Sequence, residues 1–173
     1  MRCGHERARR ILLAGLAVLL VLSAAGCAPA SAGTQKGQAA PDFSLPALGG
    51  GTVSLRDFRG RAVVLNFFAT WCGPCRAEMP DMQALYAELQ DRNLVVLGVN
   101  QAESEELVAS FADAFALTFP IGLDSGREVG GLYGVRAYPT TVIIDGDGVI
   151  RRTIVGGPLS ASVLRARVEG LLP

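Results

Sequence analysis

The sequence predicts an α/β domain, a sandwich in which helices flank a central mixed sheet. Apolar runs of strand length alternate with longer segments whose apolar residues recur at helical spacing. Near its end the chain has two strand-like runs joined by an acidic, glycine-rich turn at residues 145–148, followed by one more helical segment. Strands that alternate with helices, together with a terminal hairpin, are typical of such a sandwich.

The predicted strands of the first half lead to the centre of the sheet. Residues 42–45 and 52–55 flank three consecutive glycines at 49–51 and predict an N-terminal hairpin. Residues 63–69 are apolar on both faces, as the strands of a buried parallel sheet are, and so are residues 94–99. We therefore expect these two segments to be central strands.

A helix is predicted between these two strands, from about Cys75 to Gln90. We expect a kink at Pro80, because proline lacks the N–H that would bond back to the preceding turn. The residues expected to be buried on this helix are Met79, Met82, Leu85, Tyr86 and Leu89.

The second half of the chain continues the alternation. Ser104 can cap a helix whose first turn holds Glu105 and Glu106. Its predicted buried stripe is Leu107, Val108, Phe111 and Phe115. The remaining predicted elements are a strand at 119–123, a short helix at 127–133, hairpin strands at 141–144 and 149–155, and a C-terminal helix that begins at 159–160.

The segment Trp71-Cys72-Gly73-Pro74-Cys75 places two thiols one helical turn apart, directly after a predicted central strand. If the cysteines open the next helix, Cys72 lies at a helix N-terminus, where unpaired N–H groups and the helix dipole stabilise a thiolate. Cys75 is close enough to attack a mixed disulfide formed on Cys72. The pair can therefore pass two electrons to or from the disulfide of another protein.

Other uses of a two-cysteine motif have requirements that this chain does not meet. A zinc site usually needs four Cys or His ligands, and a cysteine hydrolase needs a histidine base. The only histidine is His5, inside a predicted leader. A structural disulfide between Cys72 and Cys75 would close a loop too small to stabilise the fold much. Redox chemistry is the prediction, with no metal site.

Residues 1–26 have the composition of a signal peptide. Arg7, Arg9 and Arg10 directly precede the apolar run 11–22, which is shorter than the roughly 20 residues needed to span a bilayer. Small residues before Cys27 resemble a lipoprotein cleavage box, in which the cysteine becomes the lipidated first residue. Ala24 stands where such boxes more often carry leucine. Cleavage near residues 28–30, giving a soluble periplasmic or secreted form, and an uncleaved anchor are the alternatives.

The exported part of the chain is predicted to be one domain on a tether. Residues 1–26 hold four of the 16 basic and one of the 16 acidic residues, which leaves 12 basic and 15 acidic groups. That balance gives no indication of nucleic-acid binding. Residues 27–40 are rich in Ala, Gly, Ser and Gln and predict a flexible tether, and residues 41–173 have the length of one domain. Cys72 and Cys75 are the only cysteines in that domain.

Further motifs resemble a known family. The two-cysteine motif, the segment Tyr138-Pro139-Thr140 ahead of a strand and the closing hairpin and helix resemble the thioredoxin fold. Residues 40–43 (Ala-Pro-Asp-Phe), residues 75–80 (Cys-Arg-Ala-Glu-Met-Pro) and the extra strand-helix block from 94 to 119 resemble the TlpA/ResA group of membrane-tethered, extracytoplasmic thiol-disulfide oxidoreductases. The resemblance covers residues 40–172.

The resemblance implies a role for each residue of the motif. Cys72 would be the attacking thiol and Cys75 the resolving, more buried one, and the only redox group would be their disulfide, with no cofactor. Pro139 would be a cis-proline that faces the disulfide, so that the backbone of Tyr138 can dock a client chain by main-chain hydrogen bonds. Trp71, Gly73 and Pro74 would support the site.

The resemblance also concerns the proton of the resolving cysteine. Asn66 stands at the strand position where thioredoxin has a buried aspartate that helps to move this proton. An asparagine cannot titrate, so the role would be absent or relocated. Glu78 is the candidate, because it lies three residues beyond Cys75 on the same helical face and the TlpA/ResA group has a glutamate there. A solvated surface glutamate is the alternative.

Two rival functions are built on related folds. Peroxiredoxins share the Pro-Asp-Phe opening, but they have a threonine three residues and a proline seven residues before the reactive cysteine. Ala69 and Leu65 occupy those positions here. A copper-delivery module would add a histidine ligand to the two cysteines, and the predicted mature chain has no histidine.

The sequence therefore predicts a protein disulfide oxidoreductase, exported and membrane-tethered. The Gly73-Pro74 pair between the cysteines is that of reducing thioredoxins, which favours a reductase supplied by a membrane thiol relay. A client that fits is apocytochrome c, whose haem-binding cysteines must be reduced before haem attachment, and general disulfide repair is the alternative. We expect a monomer, held at the membrane by its lipid.

We predict that Cys27→Ala abolishes membrane association. The wild-type chain should fractionate with membranes and carry an acylated Cys27 at its N-terminus by mass spectrometry, because the lipid supplies the anchor. An unmodified mature terminus beyond residue 28 would contradict the lipoprotein interpretation and leave the redox interpretation intact.

Overall fold

The computed structural model of the protein describes residues 34–172. The predicted signal peptide, Cys27 and the first part of the predicted tether lie outside these residues, so export and lipidation stay predictions. None of the helices within residues 34–172 combines the length and the apolar character of a membrane span.

Strands and helices alternate along the described chain. The strands are β1 (Ser44–Pro46), β2 (Thr52–Ser54), β3 (Ala62–Phe68), β4 (Leu94–Gln101), β5 (Ile121–Asp124), β6 (Thr140–Ile144) and β7 (Ile150–Val155). The α-helices are α1 (Gly73–Leu89), α2 (Glu105–Ala114), α3 (Glu128–Leu132) and α4 (Ala161–Val168). Short 3-10 helices cover Leu55–Phe58, Gln90–Arg92 and Glu169–Leu171.

The predicted mixed sheet is confirmed. Five strands lie in the order β5-β4-β3-β6-β7, with β3, β4 and β5 parallel to one another and β6 and β7 antiparallel to their neighbours. The predicted N-terminal hairpin is also confirmed, because β1 and β2 pair antiparallel as a separate two-stranded sheet. Its three turn glycines all have positive φ, between 77° and 106°, a conformation that other residues rarely adopt.

The core lies on both faces of the central strand. Side chains of a strand alternate between faces, so Val64 and Phe68 pack into one apolar cluster and Leu65 and Phe67 into another. The first cluster includes the buried residues of α1, α2 and α4. The second includes those of the N-terminal hairpin and of α3. Every residue of β3 is therefore buried.

Helix α1 begins two residues earlier than predicted, at Gly73. Proline has no backbone N–H, and the N–H groups in the first turn of a helix have no partner within the helix. Pro74 therefore costs no hydrogen bond there. The helix continues through Pro80 to Leu89 and buries Met79, Met82, Leu85 and Leu89 as predicted, whereas Tyr86 is only partly buried.

Three other predicted details are wrong. On α2 the buried residues are Val108, Phe111 and Ala112, so the neighbouring Leu107 points off this stripe and is 57% exposed. Phe115 follows the end of the helix and is only partly buried. The strand predicted at 119–123 runs from Ile121 to Asp124, because pairing with β4 starts opposite Gly98.

We predict opposite effects for two leucine-to-alanine changes on helices. Leu85→Ala on α1 should lower the free energy of unfolding by about 2–5 kcal/mol, because it leaves a cavity in the core. Leu107→Ala on α2 makes the same chemical change at an exposed site and should alter it by less than about 0.5 kcal/mol. Urea denaturation measures both. A large loss for Leu107→Ala would mean that the predicted stripe, not the observed one, is buried.

Candidate active site

The two cysteines lie at the junction between β3 and α1. Cys72 has extended backbone angles and is the residue that caps the N-terminus of α1, as the sequence predicts. It forms a disulfide with Cys75, with the two Cα atoms 5.2 Å apart. The backbone N–H of Cys75 donates a hydrogen bond to Cys72 Sγ at 3.2 Å. A hydrogen bond to sulfur at a helix N-terminus favours the thiolate form of that cysteine once the disulfide is reduced.

The two sulfur-bearing residues differ in their access to solvent. Cys72 is 5% exposed and lines a surface cleft, whereas Cys75 is completely buried and does not line it. Of the two, Cys72 is the residue that a second protein can reach.

The loop before Cys72 is held by a carboxylate that the sequence reasoning did not single out. Both oxygens of Glu103 are used: Oε2 accepts from Thr70 N at 2.7 Å and Oε1 accepts from Thr70 Oγ1 at 2.6 Å. Asn100 Nδ2 donates to Oε2 at 2.6 Å. The signal in the sequence is weak: Glu103 follows the end of β4, and parallel β3 and β4 place their carboxyl ends at the same edge of the sheet.

Tyr138 and Pro139 lie beside the motif because β6 is antiparallel to β3. Thr140, the first residue of β6, pairs with Phe67 near the end of β3, so the segment before it reaches the start of α1. The peptide bond between Tyr138 and Pro139 is cis, as the resemblance implies. The rings of Tyr138 and Trp71 meet edge to face, with centroids 5.9 Å apart. A docking role for this segment stays a prediction.

Glu78 is completely buried, so the alternative of a solvated surface glutamate is wrong. The alternation of β3 turns Asn66 toward α1, and Asn66 Nδ2 donates to Glu78 Oε1 at 2.8 Å and to Thr141 Oγ1 at 3.0 Å. The second oxygen, Glu78 Oε2, accepts from the backbone N–H of Leu159 at 3.2 Å. The sequence indicates Asn66 and Glu78 separately, and the structure brings them into direct contact.

Burial raises the pKa of Glu78 from 4.5 to about 7, although the hydrogen bonds from Asn66 and from the Leu159 N–H act in the opposite direction. Desolvation dominates because the structure gives this carboxylate no cationic partner among the described residues. A carboxyl group with such a pKa can accept and release a proton near neutral pH.

The loop after β7 joins Glu78 to Pro139, a connection that the sequence reasoning missed. A Cβ at Gly157 would lie 2.7 Å from Glu78 Oε2 and 2.9 Å from Pro139 Cγ, so a larger residue here would displace the carboxylate or the proline ring. The following bond, Gly157–Pro158, is also cis. The backbone N–H of Gly156 donates to Pro139 O at 2.8 Å. The loop after β7 therefore contacts both the buried carboxylate of Glu78 and Pro139.

A cleft of about 730 Å³ opens beside Cys72. Trp71, Cys72, Gly73 and Pro74 form one side, and Tyr138 and its preceding residues form another. Gln101, Arg127 and Arg136 also line it, and no pattern in the sequence marks these three residues. Among residues 34–172, no three His, Cys, Asp or Glu side chains lie close enough together to hold a metal ion.

Several known proteins are similar in sequence to this chain over most of its length. Residues 36–153 match the AhpC/TSA family. The thioredoxin-like protein YneN of Bacillus subtilis is 50% identical over 127 residues, which are 72% of this chain and 74% of that protein. The thiol-disulfide oxidoreductase ResA of Geobacillus thermodenitrificans is 37% identical over 174 residues, 97% of this chain and 99% of the relative.

Solved structures agree with these sequence relatives. The crystal structure of a putative thiol:disulfide interchange protein DsbE from Chlorobium tepidum superimposes with a TM-score of 0.74 at 33% identity, over 79% of this chain and 97% of that chain. A secreted thiol-disulfide isomerase from Corynebacterium glutamicum superimposes with a TM-score of 0.71 at 27% identity, over 78% and 84% of the two chains. With the Cys72–Cys75 disulfide at the start of α1 and the mixed sheet behind it, these relatives place the chain in the AhpC/TSA family, among the thioredoxin-fold, ResA-like protein disulfide oxidoreductases.

Proposed function

We propose that this protein reduces disulfide bonds in other proteins outside the cytoplasm, while a lipid on Cys27 tethers it to the membrane. The observation that carries the redox part is the position of Cys72, which caps α1, accepts a hydrogen bond from Cys75 N–H and faces the cleft. The predicted leader supports the location, and the structural relative from Corynebacterium glutamicum is described as secreted. The lipid anchor rests on the residues around Cys27 alone.

The reaction begins with the protein in its dithiol form. The Cys72 thiolate attacks one sulfur of the client disulfide, a mixed disulfide forms, and the other client sulfur leaves as a thiolate and takes up a proton. Cys75 then loses its proton and attacks Cys72 Sγ, which releases the second client thiol. Two electrons have passed to the client, and the Cys72–Cys75 disulfide is the oxidised product. A membrane thiol relay would return the electrons.

Glu78 is the proton acceptor for the second step. Residues three apart on a helix have Cβ atoms about 5–6 Å apart, so Glu78 lies within reach of Cys75 directly or through one water. Its raised pKa leaves it partly ionised at neutral pH, able to take the proton of Cys75 as the thiol becomes a nucleophile. Asn66 positions the carboxyl group by donating to Oε1. In thioredoxin this task belongs to a buried aspartate at the strand position that Asn66 occupies here.

In this proposal electrons flow from the protein to the client, and the client is a protein that must be kept reduced. The Gly73-Pro74 pair is that of reducing thioredoxins, and a Cys72 thiolate stabilised only by the helix N-terminus would suit a reductant better than a strong oxidant. Apocytochrome c is a client that needs this chemistry, because its haem-binding cysteines must be reduced before attachment. General repair of misformed disulfides is the alternative, and clients captured on Cys72 would distinguish the two.

We predict that Cys75→Ser traps clients on Cys72 as stable mixed disulfides. The variant can carry out the first attack and lacks the thiol that resolves it. Expression in cells, acid quenching and non-reducing electrophoresis should show adducts that reductant removes. Cys72→Ser is the matched control and should trap none, because Cys75 is buried. Full disulfide-reducing activity in both single variants would refute the mechanism.

We predict that Glu78→Gln removes an ionisation near pH 7 from the pH dependence of disulfide exchange. Gln keeps one oxygen that can accept from Asn66 Nδ2 or from the Leu159 N–H, presents an NH2 group to the other donor, and cannot take up a proton from Cys75. Single-turnover rates measured from pH 5 to 9 should therefore lose this inflection in the variant. Glu88→Gln, the same change at an exposed position of α1, should keep the wild-type profile. Superimposable profiles for wild type and Glu78→Gln would remove Glu78 from the mechanism.

The same variant should change how stability depends on pH. The folded-state pKa of Glu78 is raised, so the folded protein binds more protons than the unfolded chain between about pH 4.5 and 7. Wild-type stability should therefore fall, relative to Glu78→Gln, as pH rises through this window. The full difference is on the order of 3 kcal/mol, measurable by urea denaturation of the oxidised proteins at pH 4 and pH 8. A constant difference would contradict the raised pKa.

A further inference from the structure

The cleft beside Cys72 carries positive charge. Two arginines, Arg127 and Arg136, line it together with Cys72, and none of its lining residues is Asp or Glu. Both arginines are exposed. A client disulfide that reaches Cys72 Sγ must enter this cleft, so the residues next to the client cysteine come close to two guanidinium groups.

These guanidinium groups have no carboxylate partner within the described part of the chain. Arg56, Arg92, Arg151 and Arg165 form the ion pairs found there, with Asp42, Glu169, Asp145 and Glu88. Neither Arg127 nor Arg136 forms one. An arginine without an internal partner offers a planar pair of donors that matches the geometry of a carboxylate.

One acidic group beside the cleft is already bound. Asp124 is buried, and its Oδ2 accepts from Gln101 Nε2 and from Gly130 N, each at 2.8 Å. Its Oδ1 accepts from Val129 N at 3.3 Å. Asp124 thus holds the wall of the cleft, formed by Gln101 and Gly130, and its oxygens are engaged with these donors.

The rim of the cleft fits a polypeptide. Trp71 is 68% exposed beside Cys72, and its ring meets that of Tyr138. An exposed tryptophan next to a cleft is typical of residues that contribute strongly to protein–protein contacts. An extended client segment can lay its backbone along this rim while its side chains enter the cleft.

We propose that this cleft selects client polypeptide segments that carry carboxylate side chains next to the target disulfide, and that Arg127 and Arg136 recognise them. The inference rests on the proposed function and adds a preference to it. The arginines take no part in the exchange of bonds and electrons. They raise the rate at which an acidic segment forms the mixed disulfide with Cys72, since complementary charge acts mainly on encounter and orientation.

The test uses synthetic peptides, each closed by one disulfide between two cysteines. Three peptides are identical except that the residues flanking one cysteine are Glu, Gln or Lys. The protein is reduced beforehand, freed of reductant and mixed with each peptide under anaerobic conditions. Oxidation of the Cys72–Cys75 pair is followed through Trp71, the only tryptophan in the chain, and gives second-order rate constants.

For the wild type, the Glu peptide should react about 3- to 10-fold faster than the Lys peptide at low ionic strength, a size appropriate to two exposed charge pairs. The ratio should approach one in about 0.5 M salt, which screens such interactions. Arg136→Glu and Arg127→Glu should each lower the ratio, and the double variant should invert it. Arg152→Glu makes the same change at an exposed position of β7 outside the cleft and should keep the wild-type ratio.

A wild-type ratio near one, or a ratio unchanged in the double variant, would overturn the proposed preference. Reduction of the Gln peptide separates this failure from a failure of the proposed function: a protein that reduces it without charge preference is still a reductase, and one that reduces no peptide is not. Oxidised glutathione, a small disulfide that carries carboxylates, is the last substrate to be compared. If Arg136→Glu slows its reduction as much as that of the Glu peptide, the cleft selects small carboxylated disulfides and the polypeptide assignment is wrong.

Discussion

The burial of β3 in the middle of the sheet determines where the groups of the site lie. Strand β3 is covered on both faces and paired with a strand on each side. The chain therefore leaves the sheet at the carboxyl end of β3, and α1 begins there. Cys72 therefore becomes the residue that caps α1. The antiparallel neighbour β6 starts at the same edge, which brings Tyr138 and Pro139 next to the disulfide, and the parallel neighbour β4 ends there, which brings Glu103.

The same strand determines the environment of the buried carboxylate. Alternation along β3 turns Asn66 toward α1, on the face where Val64 and Phe68 pack. Glu78 meets Asn66 there, one turn beyond Cys75, and the loop after β7 covers its other oxygen. An ionised carboxylate is costly in such surroundings, so its pKa is raised into the range useful for proton transfer. In the proposed mechanism, the feature that weakens stability at high pH also serves the chemistry of the thiols.

Much of this arrangement could be predicted from the sequence, and the missing parts share a physical cause. Strands, the position of Cys72 and the mixed sheet follow from local patterns and from one specific motif. The contacts of Glu103, the loop at Gly157 and the charge of the cleft join segments far apart in the chain, and no local pattern encodes them. Leu107 shows the same limit at short range: two helical stripes were compatible with the sequence, and packing chose the one through Val108.

The central claim is that helix α1 makes Cys72, and not Cys75, the reactive thiol. Alkylation of the reduced protein with iodoacetamide from pH 5 to 9, followed by peptide mass mapping, tests this most directly. The account predicts that Cys72 is modified first, with a reactivity that titrates below the pKa of about 8.5 of an ordinary cysteine, and that Cys75 stays protected. Equal modification of both thiols, or faster modification of Cys75, would contradict it.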